Sequence, residues 1–340
     1  MTEIHTNIPL KNYTTMKIGG SARFMTDVHI PSDLPLICKR ATEQNLPVFI
    51  LGGGSNTIVH DEGFAGLVIR NKIPGFSVLE DTPREATIKV GAGEPWDSVV
   101  ERTVAMGLSG IEALSAIPGT TGAAPVQNIG AYGQEIAETM ISLEAYDIID
   151  DKMVTLSNAD CGFSYRHSIF RGDAAGRYII TTVTFRLYKA AAQPPYYKAL
   201  QDYFDANSIT IITPRVVRDA VMAIRKDKLP DPNVLPNAGS FFKNAIIEDW
   251  QLNDLRKEYP DIPTYDISDG RFKVPTGWLI EQTGLKGQEL HGMKVHDKNA
   301  LVLINESAAG YADLAAARDE IIGAVRDKFR IMIEQEPLEL

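Results

Sequence analysis

The strongest constraint on this chain is a set of glycine-dense turns, two of them entered from β-rich apolar runs. Residues 46–51 (LPVFIL) end in Gly52-Gly53-Gly54-Ser55-Asn56, and residues 66–70 form a second apolar run beyond it. Residues 86–90 alternate toward Gly91-Ala92-Gly93, after which residues 96–106 (WDSVVERTVAM) carry apolar side chains at helical spacing. A third stretch, residues 117–133 (IPGTTGAAPVQNIGAYG), is too poor in charge and too rich in small residues for a solvated linker, and reads as backbone laid against a ligand. The GxGxxG fingerprint of a Rossmann turn fails, because its third glycine would fall at Thr57 or at Trp96. No GxxxxGK[ST] loop occurs either. Successive N–H groups exposed by glycine still form a concave anion site suited to a pyrophosphate. The sharper reading is a dinucleotide held outside the Rossmann fold; the plainer one is a series of tight β-turns.

Composition narrows the class. The 340 residues suggest two or three domains. Lys and Arg number 34 against 44 Asp and Glu, a net charge of −10 that repels a polyanionic backbone, so nucleic acid is not an expected partner. Cys38 and Cys161 have no CxxC spacing and build neither a disulfide framework nor a structural zinc site, which points to a reducing compartment. The N-terminus lacks a basic then apolar leader and no run approaches 18 apolar residues, so a cytoplasmic protein without a membrane segment is expected.

Further along, residues 142–149 and 177–188 are strand candidates, residues 216–228 (VVRDAVMAIRKDK) have an amphipathic helical period, residues 300–304 read as a buried strand and residues 311–329 as a helix. A boundary is expected near Thr213-Pro214. Strands and helices mix throughout, and no internal repeat is evident.

Five strings occur in order: TTMKIGG at 14–20, LGGGSN at 51–56, IPGTTGAAPVQNIGAYG at 117–133, YRHSIFR at 165–171 and AGSFFKN at 238–244. In this set the chain resembles the MurB family of UDP-N-acetylenolpyruvoylglucosamine reductases, from about residue 10 to the C-terminus. The segment 194–200 with its tyrosines, and KLPDP at 228–232, resemble the longer, type I form. The resemblance implies an α+β protein: an FAD-binding fold of the vanillyl-alcohol-oxidase (PCMH) type in two subdomains, 1–70 and 71–214, and a C-terminal α+β substrate-binding domain, 215–330. The tail 331–340 is a candidate to return to the first subdomain. It also implies FAD as cofactor, NADPH as co-substrate, a UDP-sugar substrate and a monomer. Where relatives of that fold carry a flavin-linked histidine this chain has Ser55, so non-covalent FAD is expected, with His60 nearby.

Residue by residue, the resemblance assigns the proton donor to Ser240, charge stabilisation on a carboxylate to Arg166, and a partner glutamate to Glu336, with Glu334 the alternative two residues away on the same strand face. Without it, Ser240 would read as a turn or cap and Arg166 as a surface ion pair. FAD falls to Gly52, Gly53, Gly54, Ser55 and Asn56 at the pyrophosphate, and to Gly119, Gly122, Ala123, Ala124 and Gly130 at the ring and ribityl chain. Substrate falls to Tyr132, Tyr165, Tyr197, Lys228, Asn244 and Asn299, Tyr196 being the alternative to Tyr197. Asn299 stands where long-form relatives often show Gln. His291, His296 and Glu289 match no metal-ligand template, and no metal is expected. Two rivals stay open at this stage: a sugar or alcohol oxidase of the same fold, and a non-catalytic nucleotide-binding module.

Overall fold

The computed structural model describes residues 3–190, 192 and 194–340, with Ser268 described by its backbone alone. The chain forms two compact units, each assembled from non-contiguous segments: residues 3–8, 22–54 and 64–227 in the first, and 9–21, 55–63 and 228–340 in the second.

In the first unit, the strand Val48–Leu51 pairs in parallel with Phe64–Asn71, which pairs in parallel with Ser21–Val28. The helix Leu34–Glu43 buries Leu34, Ile37, Cys38 and Ala41, the i, i+3, i+4, i+7 face that its sequence dictates. A second, antiparallel sheet runs in the spatial order Lys152–Ser157, Met140–Asp147, Tyr178–Tyr188, Glu85–Gly91, Phe76–Asp81. The 1–70 and 71–214 segments share a core, since Tyr146 and Ile179 of the antiparallel sheet pack among Val28, Leu34, Ile37, Leu67 and Ile69. Burial pushes the Cys38 thiol up to about 12, and Cys161 likewise, so both free cysteines are inert packing residues.

The helix Pro214–Lys228 matches the sequence pattern, but its placement differs from the boundary near Thr213-Pro214. Val217, Ala220, Val221 and Ile224 pack against Ala113, Leu200 and Phe204, so the helix belongs to the first unit through residue 227. An amphipathic period locates an apolar face; it does not say which core that face enters.

The second unit centres on a sheet in the order Asn237–Ser240, Val302–Asn305, Met293–Val295, Glu289–Leu290, backed by the helix Tyr311–Phe329, whose Leu314, Ala317, Ile321, Val325 and Phe329 are buried. Two early segments complete it. Met16, Ile18 and Ile58 sit in the same core as Phe241, Phe242 and Leu303. The IGG of the first motif has a backbone reason: a methyl on Gly19 would lie 2.4 Å from the Val59 carbonyl oxygen, and one on Gly20 2.4 Å from the Asp61 carbonyl oxygen. The tail strand Leu338–Glu339 pairs in parallel with Thr57–Ile58, and both strands belong to the second unit.

Candidate active site

The glycine turns of the first unit meet one another. A methyl on Gly53 would come within 2.7 Å of the Gly119 Cα, and one on Gly52 within 2.9 Å of the Thr120 hydroxyl and 3.1 Å of the Ala123 methyl. The 119–124 loop is tied in turn to the 91–94 turn: Gly122 N–H donates to the Ala92 carbonyl at 2.8 Å, Thr121 N–H to the Glu94 carbonyl at 2.9 Å, and Gly122 could not carry a Cβ without meeting that of Ala92 at 2.5 Å. Ala123 and Ala124 continue as a tight turn into the short 3-10 helix Ala124–Gln127, with Ala124 buried. These glycines thus serve loop-on-loop packing, and the backbone cradle they leave fits a dinucleotide, whose phosphates need close approach to main-chain N–H groups.

Beyond this cradle, two tight hairpins present aromatic and cationic side chains. Gly130–Ala131 pairs with Gln134–Glu135 across a two-residue turn in which Tyr132 and Gly133 both have positive φ, 49° and 86°. That turn matches strand twist but strains a residue with a Cβ, so Tyr132 is held there by its surroundings. Its hydroxyl is hydrogen bonded to Arg225, and its ring meets Tyr197 edge to face at 5.9 Å. The second hairpin is closed by Ser164 and His167, with Tyr165 and Arg166 at its tip and Arg166 at φ 53°. Arg166 Nη2 donates to the Gly130 carbonyl at 2.9 Å, and its guanidinium lies 5.6 Å from the Tyr165 ring centre. A methyl on Gly130 would sit 2.9 Å from Glu135 Cγ, 3.1 Å from the Gln134 carbonyl oxygen and 3.3 Å from Arg166 Nη1. Asn128 joins the hairpins, its Nδ2 donating to Glu135 Oε2 at 2.7 Å and to the Ser164 carbonyl at 3.1 Å.

Arg225 was missed by the sequence reading, where it was one cation on an amphipathic helix. Burial pulls its guanidinium down, Tyr132 and Asp97 offset this, and Arg166 adds like-charge repulsion. Asp97 is held below the usual carboxylate range: burial would raise it, but hydrogen bonds from Arg218 and the Ala116 N–H prevail. The two tyrosine alternatives also separate. Tyr196 packs on Phe204 at 5.4 Å with its hydroxyl on the Ala192 carbonyl, whereas Tyr197 is exposed and meets Tyr132.

In the second unit, Ser240 ends the strand Asn237–Ser240 opposite Val302. Gly239 before it has φ 70°, and a Cβ there would meet only open space. The chain after Ser240 is flanked by the C-terminal segment: Glu336 N–H donates to the Phe241 carbonyl at 2.8 Å, and Lys243 N–H to the Glu334 carbonyl at 2.9 Å. Glu336 is 8% exposed. Glu334 points outward in an ion pair with Lys243 at 2.9 Å, its side chain 74% exposed. Asn244 is fixed by Thr276, whose N–H donates to Asn244 Oδ1 at 3.1 Å. Asn56 Nδ2 lies 3.5 Å from the Glu336 carbonyl, and Ser55 precedes it in the same segment. Asn299 Oδ1 accepts from Leu301 N–H at 3.1 Å, a turn-closing role. Lys228 is the last residue of its helix. His60 is engaged by its neighbours, stacked on Tyr311 at 3.9 Å and 3.1 Å from Glu339 Oε2. Among the described residues no three metal-capable side chains gather; His291 instead pairs with Glu320 at 3.0 Å.

Known proteins decide the lineage. UDP-N-acetylenolpyruvoylglucosamine reductases from Chromobacterium violaceum and Ralstonia nicotianae are 38% and 40% identical over 99% of this chain, and 98% and 99% of their own lengths are covered. The chain belongs to the UDP-N-acetylenolpyruvoylglucosamine reductase family. Residues 231–339 match the family's C-terminal domain, and residues 28–157 match the FAD binding domain family. The solved reductase from Thermus caldophilus shares the fold, with a TM-score of 0.69 at 24% identity over 100% of this chain and 99% of that one. An alkyldihydroxyacetonephosphate synthase matches at a TM-score of 0.50 and 13% identity, over 94% of this chain and 74% of that one. The fold is therefore the FAD-binding α+β type expected from the motifs, with the reductase family's C-terminal domain, and the chain is an FAD-dependent oxidoreductase. Among the described residues no helix is long and apolar enough to cross a membrane.

Proposed function

We propose that this reductase converts the enolpyruvyl ether of a UDP-linked N-acetylglucosamine to the lactyl ether, UDP-N-acetylmuramate, for peptidoglycan precursor synthesis. NADPH is the electron donor, and the enzyme acts as a cytoplasmic monomer. The substrate's enol ether is conjugated to a carboxylate. Hydride addition at the terminal carbon drives charge into that carboxylate and leaves the adjacent carbon in need of a proton. Bound FAD, once reduced, supplies the hydride that no side chain can.

The chain's own groups do the rest. The Arg166 guanidinium, a planar fork suited to a carboxylate, stabilises the charge that grows there, and Glu336 orders the same end of the substrate. Ser240 Oγ–H gives its proton to the adjacent carbon and regains one from water; a hydroxyl suffices because the carbon is strongly basic. Tyr132, Tyr165, Tyr197, Lys228, Asn244 and Asn299 bind the sugar nucleotide, Lys228 as a point charge on the diphosphate. Gly52–Asn56 and the 119–130 loop hold FAD non-covalently.

The observation that carries this reading is the hydrogen bond from Glu336 N–H to the Phe241 carbonyl, which joins a buried glutamate to the residue after Ser240. Anaerobic stopped-flow absorbance tests it. Ser240→Ala should leave flavin bleaching by NADPH unchanged and slow recolouring by the enolpyruvyl sugar nucleotide by about 10²–10⁴-fold. Equal loss in both half-reactions would refute the acid role.

A further inference from the structure

The Glu336 segment is gripped on both sides. Before it, Lys243 N–H and Glu336 N–H bind the tail to residues 241–243. After it, Leu338 N–H donates to the Asn56 carbonyl at 2.9 Å, Leu340 N–H to the Ile58 carbonyl at 2.8 Å, and His60 N–H to the Leu340 carbonyl at 2.7 Å. Pro337 further restricts the backbone of Glu336.

Side chains reinforce this ladder at one point, the Glu339 carboxylate. Tyr311 Oη donates to Glu339 Oε2 at 3.0 Å, His60 Nε2 lies 3.1 Å from the same oxygen, and Arg318 Nη1 donates to Oε1 at 2.5 Å. Arg318 Nη1 also donates to Gln335 Oε1 at 3.0 Å, so one guanidinium holds the residue before Glu336 and the residue three after it. The gripping groups are themselves fixed. The carboxylate of Asp61, next to His60, accepts the N–H groups of Tyr311 and Ala312 at 2.7 and 3.2 Å and so caps the helix that carries Tyr311 and Arg318. Gly310 is bare at that cap, where a methyl would lie 2.2 Å from Asp61 Oδ1. Burial would raise the Glu339 carboxyl, yet these donors hold it below its ordinary range, as expected of an ionised anchor.

We propose that Glu339, clamped by His60, Tyr311 and Arg318, is a positioning residue that fixes Glu336 for the reduction of substrate. This rests on the reading of Glu336 above. A clamp of charge-assisted hydrogen bonds three residues away removes backbone freedom from Glu336 before substrate arrives, and small misplacements of such a group are costly in rate.

The test compares Glu339→Ala, Glu339→Gln and Glu336→Gln as FAD-loaded full-length enzymes, by anaerobic stopped-flow and by amide hydrogen exchange. Glu339→Ala should slow recolouring by the enolpyruvyl sugar nucleotide by at least about tenfold while leaving bleaching by NADPH within about twofold. Exchange at the Glu336 and Leu338 amides should speed up, and Glu339→Gln, which keeps an acceptor oxygen, should recover part of the loss. Normal recolouring in Glu339→Ala alongside slow recolouring in Glu336→Gln would overturn the clamp and leave the role of Glu336 standing. Normal recolouring in Glu336→Gln would overturn that role and the clamp with it. Equal loss of both half-reactions in Glu339→Ala, with a lowered Tm, would reduce Glu339 to a general structural residue and overturn the proposal.

Discussion

Glu336 and Phe241, 95 positions apart in sequence, are joined by a 2.8 Å hydrogen bond from the N–H of the first to the carbonyl of the second. The bond fixes the register of the tail, and with it which of two glutamates is buried. Glu334 faces outward in a pair with Lys243, and such exposed pairs contribute about 0–1 kcal/mol. Glu334→Gln should therefore leave kcat and KM within about twofold of wild type, while Glu336→Gln lowers kcat; steady-state kinetics on the pair checks it.

Gly53→Ala places a methyl 2.7 Å from the Gly119 Cα, where backbone meets backbone and neither can yield cheaply. The expected cost is about 1–3 kcal/mol, with loss of bound flavin. Gly107 differs from Gly53 in having positive φ, 74°, with nothing within 4 Å of an added Cβ, so a substitution there brings conformational strain without a clash. Gly107→Ala should lower Tm modestly and keep the flavin to protein absorbance ratio of wild type.

Tyr132→Phe deletes the hydroxyl that bonds the half-buried Arg225. Losing a hydrogen bond to a charged group costs about 1.5–3 kcal/mol, read as a lower midpoint in urea unfolding with an unchanged slope.

Acid stability should depend on Asp147. Its carboxylate takes a bidentate pair of bonds from Arg177, Nε to Oδ1 at 3.1 Å and Nη2 to Oδ2 at 2.6 Å, and its Oδ1 also accepts the N–H groups of Ile149 and Asp150. Arg177 is the main reason its pKa lies below 3.8, with burial opposing. A depressed carboxylate contributes stability above its unfolded pKa and loses it as pH falls through the folded value. Asp147→Asn should thus destabilise by about 2–4 kcal/mol at pH 7, and its deficit should shrink below about pH 4; Tm measured across pH 3 to 7 tests the sign.

Much of this was legible because local pattern and final packing agree. The period of residues 311–329 gives the buried face of a helix whose bounds match, and the runs at 46–51 and 86–90 become strands that end at the glycine turns. The turns could be read as a cradle because a bare Cα is needed wherever two backbones meet. Arg225 was not legible, since nothing in VVRDAVMAIRKDK marks which cation meets Tyr132. Nor was the address of the helix Pro214–Lys228, which depends on Ala113 and Phe204, far away in sequence. Asn299 shows the converse: a residue assigned to substrate by its place in a motif is also the residue whose side chain closes a turn.

The parallel pairing of Leu338–Glu339 with Thr57–Ile58 has a bearing on biosynthesis. The strand Thr57–Ile58 lacks this pairing until residues 338–339 have been synthesised. Loop closure across about 280 positions is slow, and an open strand edge in the interval invites association with other nascent chains. Shielding by chaperones during synthesis should matter more for the second unit than for the first.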